Sequence, residues 1–185
     1  MISIRHKREK HIVLQVRGDD LENLRLTDLN LHGVDLADRV LTGSTLRDVD
    51  LTGADLVRAG LSRTRLSSCA VTRCDLFGSD MRGLVADDTD FSGSDLGQAD
   101  LSQARLTAVC FYGANLREAN LRGATLLGVD LTEALLYGAD LAGAVLDEVD
   151  LTDAAYDEHT RWPAGFEPRE RGAARITNLD SEPVL

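Results

Sequence analysis

The chain has 185 residues, 31 of them acidic against 20 Lys or Arg, for a net charge of −11. That length suits one domain with a continuous core, and no apolar run approaches the roughly 20 residues that span a bilayer, which excludes a membrane-spanning helix. An acidic balance argues against direct nucleic-acid binding, and three cysteines supply no disulfide framework.

Residues 1–13 form a basic N-terminal segment, expected to act as a cap; residues 1–17 hold five Lys or Arg against one Glu. The following apolar stretch is too short for a secretory leader and lacks a small-residue cleavage site, so a cytoplasmic location is expected. Residues 11–16 alternate like a covering strand, and Leu14-Gln15-Val16-Arg17-Gly18 fits as an irregular extra pentad.

From Leu21 to Tyr156 a large residue recurs at every fifth position without insertion or deletion, giving 28 sites of which 22 are Leu. The exceptions are Val71, Met81, Ala86, Phe91, Phe111 and Tyr156. Neither a helix, with a period near 3.6, nor a strand, with a period of 2, keeps such a series on one side. A solenoid that turns a corner once per pentad does. Two residues before each centre, from Ser44 onward, stand mostly small residues; one before stands often Asp or Asn; two after, Gly recurs eleven times. Four pentads then close a square coil of about 20 residues, and the 28 pentads account for seven coils of the solenoid.

Residues 20 apart become vertical neighbours about 4.8 Å apart, the ordinary strand spacing. Phe91 and Phe111 are therefore expected to stack in the core. Asp19 and Arg39 fall 20 apart at inward positions and are expected to form an ion pair, the alternative being an Arg39 flipped outward. Ala86 is small for a centre and Leu84 large for its position; Leu84 is expected to fill the space, with local distortion. Cys69 and Cys74 read as packing thiols. Residues 159–185 are expected to form a C-terminal cap and polar tail, with Trp162 and Phe166 over the last coil and a loose chain after Pro168.

The motif Ala54-Asp55-Leu56, Ala99-Asp100-Leu101, Ala114-Asn115-Leu116 and Ala139-Asp140-Leu141 resembles that of the pentapeptide-repeat family over residues 14–158. The resemblance implies an all-β fold, a right-handed quadrilateral parallel β-helix of about seven coils over residues 14–158. It does not by itself imply a function.

No catalytic, cofactor or metal-ligand constellation is evident. The histidines His6, His11, His32 and His159 fall singly or at the ends, without ligand spacing to Cys or carboxylates. The chain is read as no enzyme. Pentads grouped by wall place acids on two adjacent walls. One carries Asp50, Asp90, Asp130 and Asp150, the other Asp35, Asp55, Asp75 and Asp95, and these are the candidate partner-binding residues. Seven coils span roughly 34 Å, a length over which B-DNA carries on the order of 20 charges. Resemblance to the fluoroquinolone-resistance members implies an acidic, dimeric DNA mimic that binds DNA gyrase or topoisomerase IV and protects it from inhibitors. The central Leu and the unbroken register depart from the Phe-rich, looped members. The alternative is a scaffold or interaction module for another protein, with Asp present as the turn residue of the motif. On the first reading, reversing Asp55, Asp75 and Asp95 to Lys is expected to abolish the effect with the fold intact.

Overall fold

The computed structural model describes residues 2–16 and 21–177. An N-terminal hairpin, β1 (Ile2–His6) and β2 (Ile12–Val16), precedes β3 (Arg25–Thr27) and β4 (Val34–Asp35). Six strands follow, β5 (Thr45–Arg47), β6 (Arg65–Ser67), β7 (Val85–Asp87), β8 (Arg105–Thr107), β9 (Thr125–Leu127) and β10 (Val145–Asp147). The chain then passes β11 (Ala155–Tyr156), a 3-10 turn at Pro168–Arg171, and β12 (Ala174–Arg175).

The result is an all-β parallel solenoid of about eight turns. Its four walls, numbered in chain order, are centred on Leu21, Leu26, Leu31 and Leu36 and their equivalents 20 residues on; the second is a seven-stranded parallel sheet, β3 to β10 without β4, in which Leu26 opposes Leu46 and Leu46 opposes Leu66. The other walls repeat the interval through single bridges such as Asn30 to Asp50, Asp35 to Asp55 and Val40 to Gly60.

Every coil turns the same way at the same place. From Asn23 to Asp153 each fifth residue has a left-handed φ, and sixteen of these 27 residues are not glycine. On three walls the central carbonyl also accepts the N–H three residues on, as Leu51 O does from Ala54 (2.8 Å) and Leu56 O from Ala59 (2.9 Å), which closes a β-turn. At the second wall that bond gives way to three ladder residues per coil, which is why the named strands of the rod gather there.

Inside, the central residues from Leu21 to Leu141 are buried, as are most of the small residues two before them. Phe91 and Phe111 are fully buried and stacked, with ring centroids 5.1 Å apart and planes 16° from parallel. The polar small residues are satisfied by the preceding coil: the hydroxyls of Ser44 and Thr64 and the thiols of Cys69 and Cys74 donate to the carbonyls of the central residues Leu21, Leu41, Leu46 and Leu51, at 3.0–3.4 Å. Ser79 Oγ is buried without a partner among the described residues.

Several expectations are revised. Ala86 keeps its register between Leu66 and Leu106 and Leu84 is fully buried, so the exchange of volumes leaves the ladder undistorted. Arg39 lies exposed, as a charge facing a core of Leu must; Asp19, its expected ion-pair partner, lies outside the described residues. Leu14 and Val16 belong to β2, antiparallel to β1, and β1 in turn pairs antiparallel with β4, so the hairpin covers the first coil where a further pentad was expected.

At the other end the coil continues past the last pentad. Leu141 N–H reaches Arg161 O (2.7 Å), one residue further along than the interval seen at Leu136 to Ala155. Asp157 absorbs the extra residue: its Oδ1 accepts the N–H groups of Gly138, His159 and Thr160 at 2.9–3.1 Å. The described part of the segment read as loose, residues 169–177, thus forms an eighth turn, with β12 parallel to β11 and Ala173 buried; the remainder of that segment lies outside the described residues. Trp162 meets Tyr156 edge-on at 5.5 Å and stacks on Phe166 at 5.4 Å, closing the apolar end.

Candidate functional site: the acidic walls

The aspartates that precede each central residue have a structural duty. Asp50 Oδ1 accepts the Thr52 N–H at 2.9 Å, and the same bond recurs at Asp55 (3.2 Å), Asp75 (3.2 Å), Asp90 (2.8 Å), Asp95 (2.9 Å), Asp130 (2.8 Å) and Asp150 (2.9 Å). Each is an Asx turn that satisfies a corner N–H. Asn115 and Asn120 make it equally well without charge, at 3.2 and 3.1 Å. One carboxylate oxygen of each is therefore committed to the corner.

The two expected sets are arranged differently. Asp35, Asp55, Asp75 and Asp95 form one unbroken column over successive coils, ending at Asn115, whose amide donates to Asp95 Oδ1 at 2.8 Å. Asp50, Asp90, Asp130 and Asp150 lie in a column interrupted by Ala70 and Cys110. What the sequence reading missed lies beside that broken column. The corner between the second and third walls also bears Asp28, Asp48, Asp87, Asp88, Asp147 and Glu148. Across the pentads of the second wall these acids are offset by Arg25, Arg65 and Arg105 at its opposite edge, which hides them in a sum by wall.

Ion pairs reduce the charge at the foot of the unbroken column, where Lys10 Nζ lies 3.8 Å from Asp35 Oδ2, and on the neighbouring walls. Arg58 pairs bidentately with Asp38, both contacts at 2.8 Å, and Arg82 with Asp80 at 2.7–2.8 Å. Arg122 and Arg161 reach Asp140 at 3.0 and 3.5 Å. The hydrogen bond from Arg58 holds the Asp38 carboxyl below the usual range, as Arg82 does for Asp80. Hydrogen bonds from the Thr152 hydroxyl and N–H do the same for Asp150.

The hairpin brings together groups that had read as separate. His6, Glu9 and His11 place potential ligand atoms within 4.8 Å of one another, and the rings of His6 and His11 stack at 5.4 Å. His6 Nδ1, however, accepts the N–H groups of Arg8 (3.3 Å) and Glu9 (3.1 Å), so it serves the turn itself. No helix among the described residues is long and apolar enough to cross a membrane.

The model of the family described as "Pentapeptide repeats" matches residues 44–83, 87–123 and 114–153, more than half of the chain. Curated proteins give no sequence match. Among solved structures the chain is similar to a pentapeptide repeat protein, Rfr23, from the cyanobacterium Cyanothece 51142, at 23% identity, 77% of this chain, 87% of that chain and a TM-score of 0.37. It is also similar to QnrB1, a plasmid-mediated fluoroquinolone resistance protein, at 17% identity, with 85% and 83% covered and a TM-score of 0.38. A third is HetL, involved in heterocyst differentiation regulation, from Nostoc sp. strain PCC 7120, at 22% identity, with 83% and 84% covered and a TM-score of 0.27. The five-residue period, the 20-residue coil and the matching family model together make this chain a member of the pentapeptide-repeat family.

Proposed function

We propose that the protein is a non-catalytic, cytoplasmic, acidic rod that docks in the DNA-binding groove of a type II topoisomerase, DNA gyrase or topoisomerase IV, as a DNA mimic. The observation that carries this reading is the unbroken column Asp35, Asp55, Asp75 and Asp95, running beside the acid-rich third wall. A line of carboxylates at strand spacing offers a basic groove a regular anionic edge, while DNA itself is repelled. The Asx turns favour a second reading, a scaffold whose aspartates serve the corners.

Neutralisation without loss of the turn separates the two. Lysine at these positions would remove the corner bond along with the charge; asparagine keeps it, as Asn115 does. Wild-type protein at micromolar concentration is expected to alter gyrase supercoiling and drug-induced cleavage. The triple variant Asp55→Asn, Asp75→Asn, Asp95→Asn should fold normally and lose at least about tenfold in that effect. Wild-type protein that leaves both assays unchanged would leave the scaffold reading standing.

A further inference from the structure

Charge on the second wall is divided between its two edges. The corner with the first wall, residues 22–25, 42–45 and onward to 142–145, carries Arg25, Arg63, Arg65, Arg82, Arg105 and Arg122 against a single acid, Glu22. The corner with the third wall, residues 27–30 to 147–150, carries ten acids against Arg47. Between these edges lies the seven-stranded sheet. Arg82 and Arg122 are tied to the first-wall acids Asp80 and Asp140, but Arg25, Arg65 and Arg105 open β3, β6 and β8 and stand exposed.

We propose that two copies of the chain pair in parallel through their second walls, about a two-fold axis running along the rod. Such an axis exchanges the edges, so that the arginine edge of each copy faces the acidic edge of the other. The positions interleave. The arginines lie on the first, third and fifth coils, and Asp28, Asp48 and Asp88 on the first, second and fourth, so each arginine finds a carboxylate within one coil, about 4.8 Å in height. Leu127, 38% exposed, and Val145, 54% exposed, stand on the same wall in adjacent coils and supply apolar contact where arginines run out. An acidic foreign partner would match one edge and be repelled by the other; a second copy matches both. The third and fourth walls remain in solvent.

The test is a charge exchange in the full chain, read by sedimentation velocity with circular dichroism as the check on folding. One variant carries Arg65→Glu and Arg105→Glu; the other carries Asp48→Arg and Asp88→Arg, at left-handed positions where Arg58, Arg63 and Arg73 already show arginine to be accommodated. The wild type is expected to dimerise in low salt and to weaken at least about tenfold in high salt, where the Debye length shrinks. Each variant by itself should be monomeric, and an equimolar mixture should restore the dimer. Single variants, Arg105→Glu and Asp88→Arg, give the same comparison should a double variant fail to fold. A monomeric wild type, a variant that still self-associates, or a mixture that stays monomeric would overturn the proposal.

Discussion

Ala108 shows what the coil demands of single residues. It sits at φ 50° in a series where the backbone must be left-handed, with no polar side chain to offset the strain. That conformation costs an L-residue about 1–2 kcal/mol, against roughly 0.5–1 kcal/mol of extra unfolded-state entropy for glycine. Ala108→Gly should therefore stabilise the fold by up to about 1 kcal/mol, seen as a higher denaturation midpoint; a lower midpoint would contradict it. The thiols divide by burial. Desolvation pushes Cys74 up to about 11 and raises Cys69, while Cys110 lies half-buried beside Ser92. An aromatic disulfide reagent should label Cys110 in the native protein, and all three cysteines after denaturation. Fast native labelling of Cys69 or Cys74 would mean that the core opens.

Carboxylates set the response to acid. Asp38, Asp80 and Asp150 are held low by hydrogen bonds from Arg58, Arg82 and Thr152. At Asp140 and Asp157 burial pushes upward, yet hydrogen bonds from Ala142 and Arg122, and from Gly138 and Thr160, together prevail. Groups with depressed folded values stabilise the fold fully above the unfolded carboxylate value, near 4, and lose that contribution as pH falls through the lower folded value. Denaturant midpoints at several pH values should show the loss below about pH 4; a decline between pH 5 and 7 would implicate other groups.

At the scale of elements, the coil is the unit that can be removed. Deleting residues 121–140 joins Asn120 to Leu141 with every wall in place, whereas deleting 121–130 moves third-wall residues onto the first. The first deletion should give a shorter, cooperatively unfolding rod and the second should lose cooperativity, as seen by circular dichroism melts. Equal stability of the two would refute a wall-specific register. The sequence made this register legible because a spacing of five has no competitor among regular structures. It left the ends obscure. The partner strand β1 announces itself only through a hairpin pairing, and the eighth turn is hidden by one extra residue that the Asp157 side chain absorbs. Arg39 read as inward from its register, which its backbone does keep, its N–H donating to Leu36 O at 3.0 Å and its carbonyl accepting from Gly60 at 2.9 Å, while the residue stands exposed.

For the whole molecule, charge by corner matters more than charge by pentad. The acidic column was legible because Asp35, Asp55, Asp75 and Asp95 share a register position; the acid edge of the second wall was not, because its residues follow their central leucine and were pooled with arginines on the other edge. Both facts follow from the corner at the left-handed residue, which turns neighbours in sequence onto different walls. The central functional claim is that this anionic surface takes the place of duplex DNA. Its most direct test is displacement of a fluorescent duplex from DNA gyrase, followed by anisotropy as the protein is added. The account predicts that the duplex is released, that release weakens as salt is raised, and that the Asp55→Asn, Asp75→Asn, Asp95→Asn variant fails to release it. A duplex that stays bound while the protein also binds gyrase would contradict it.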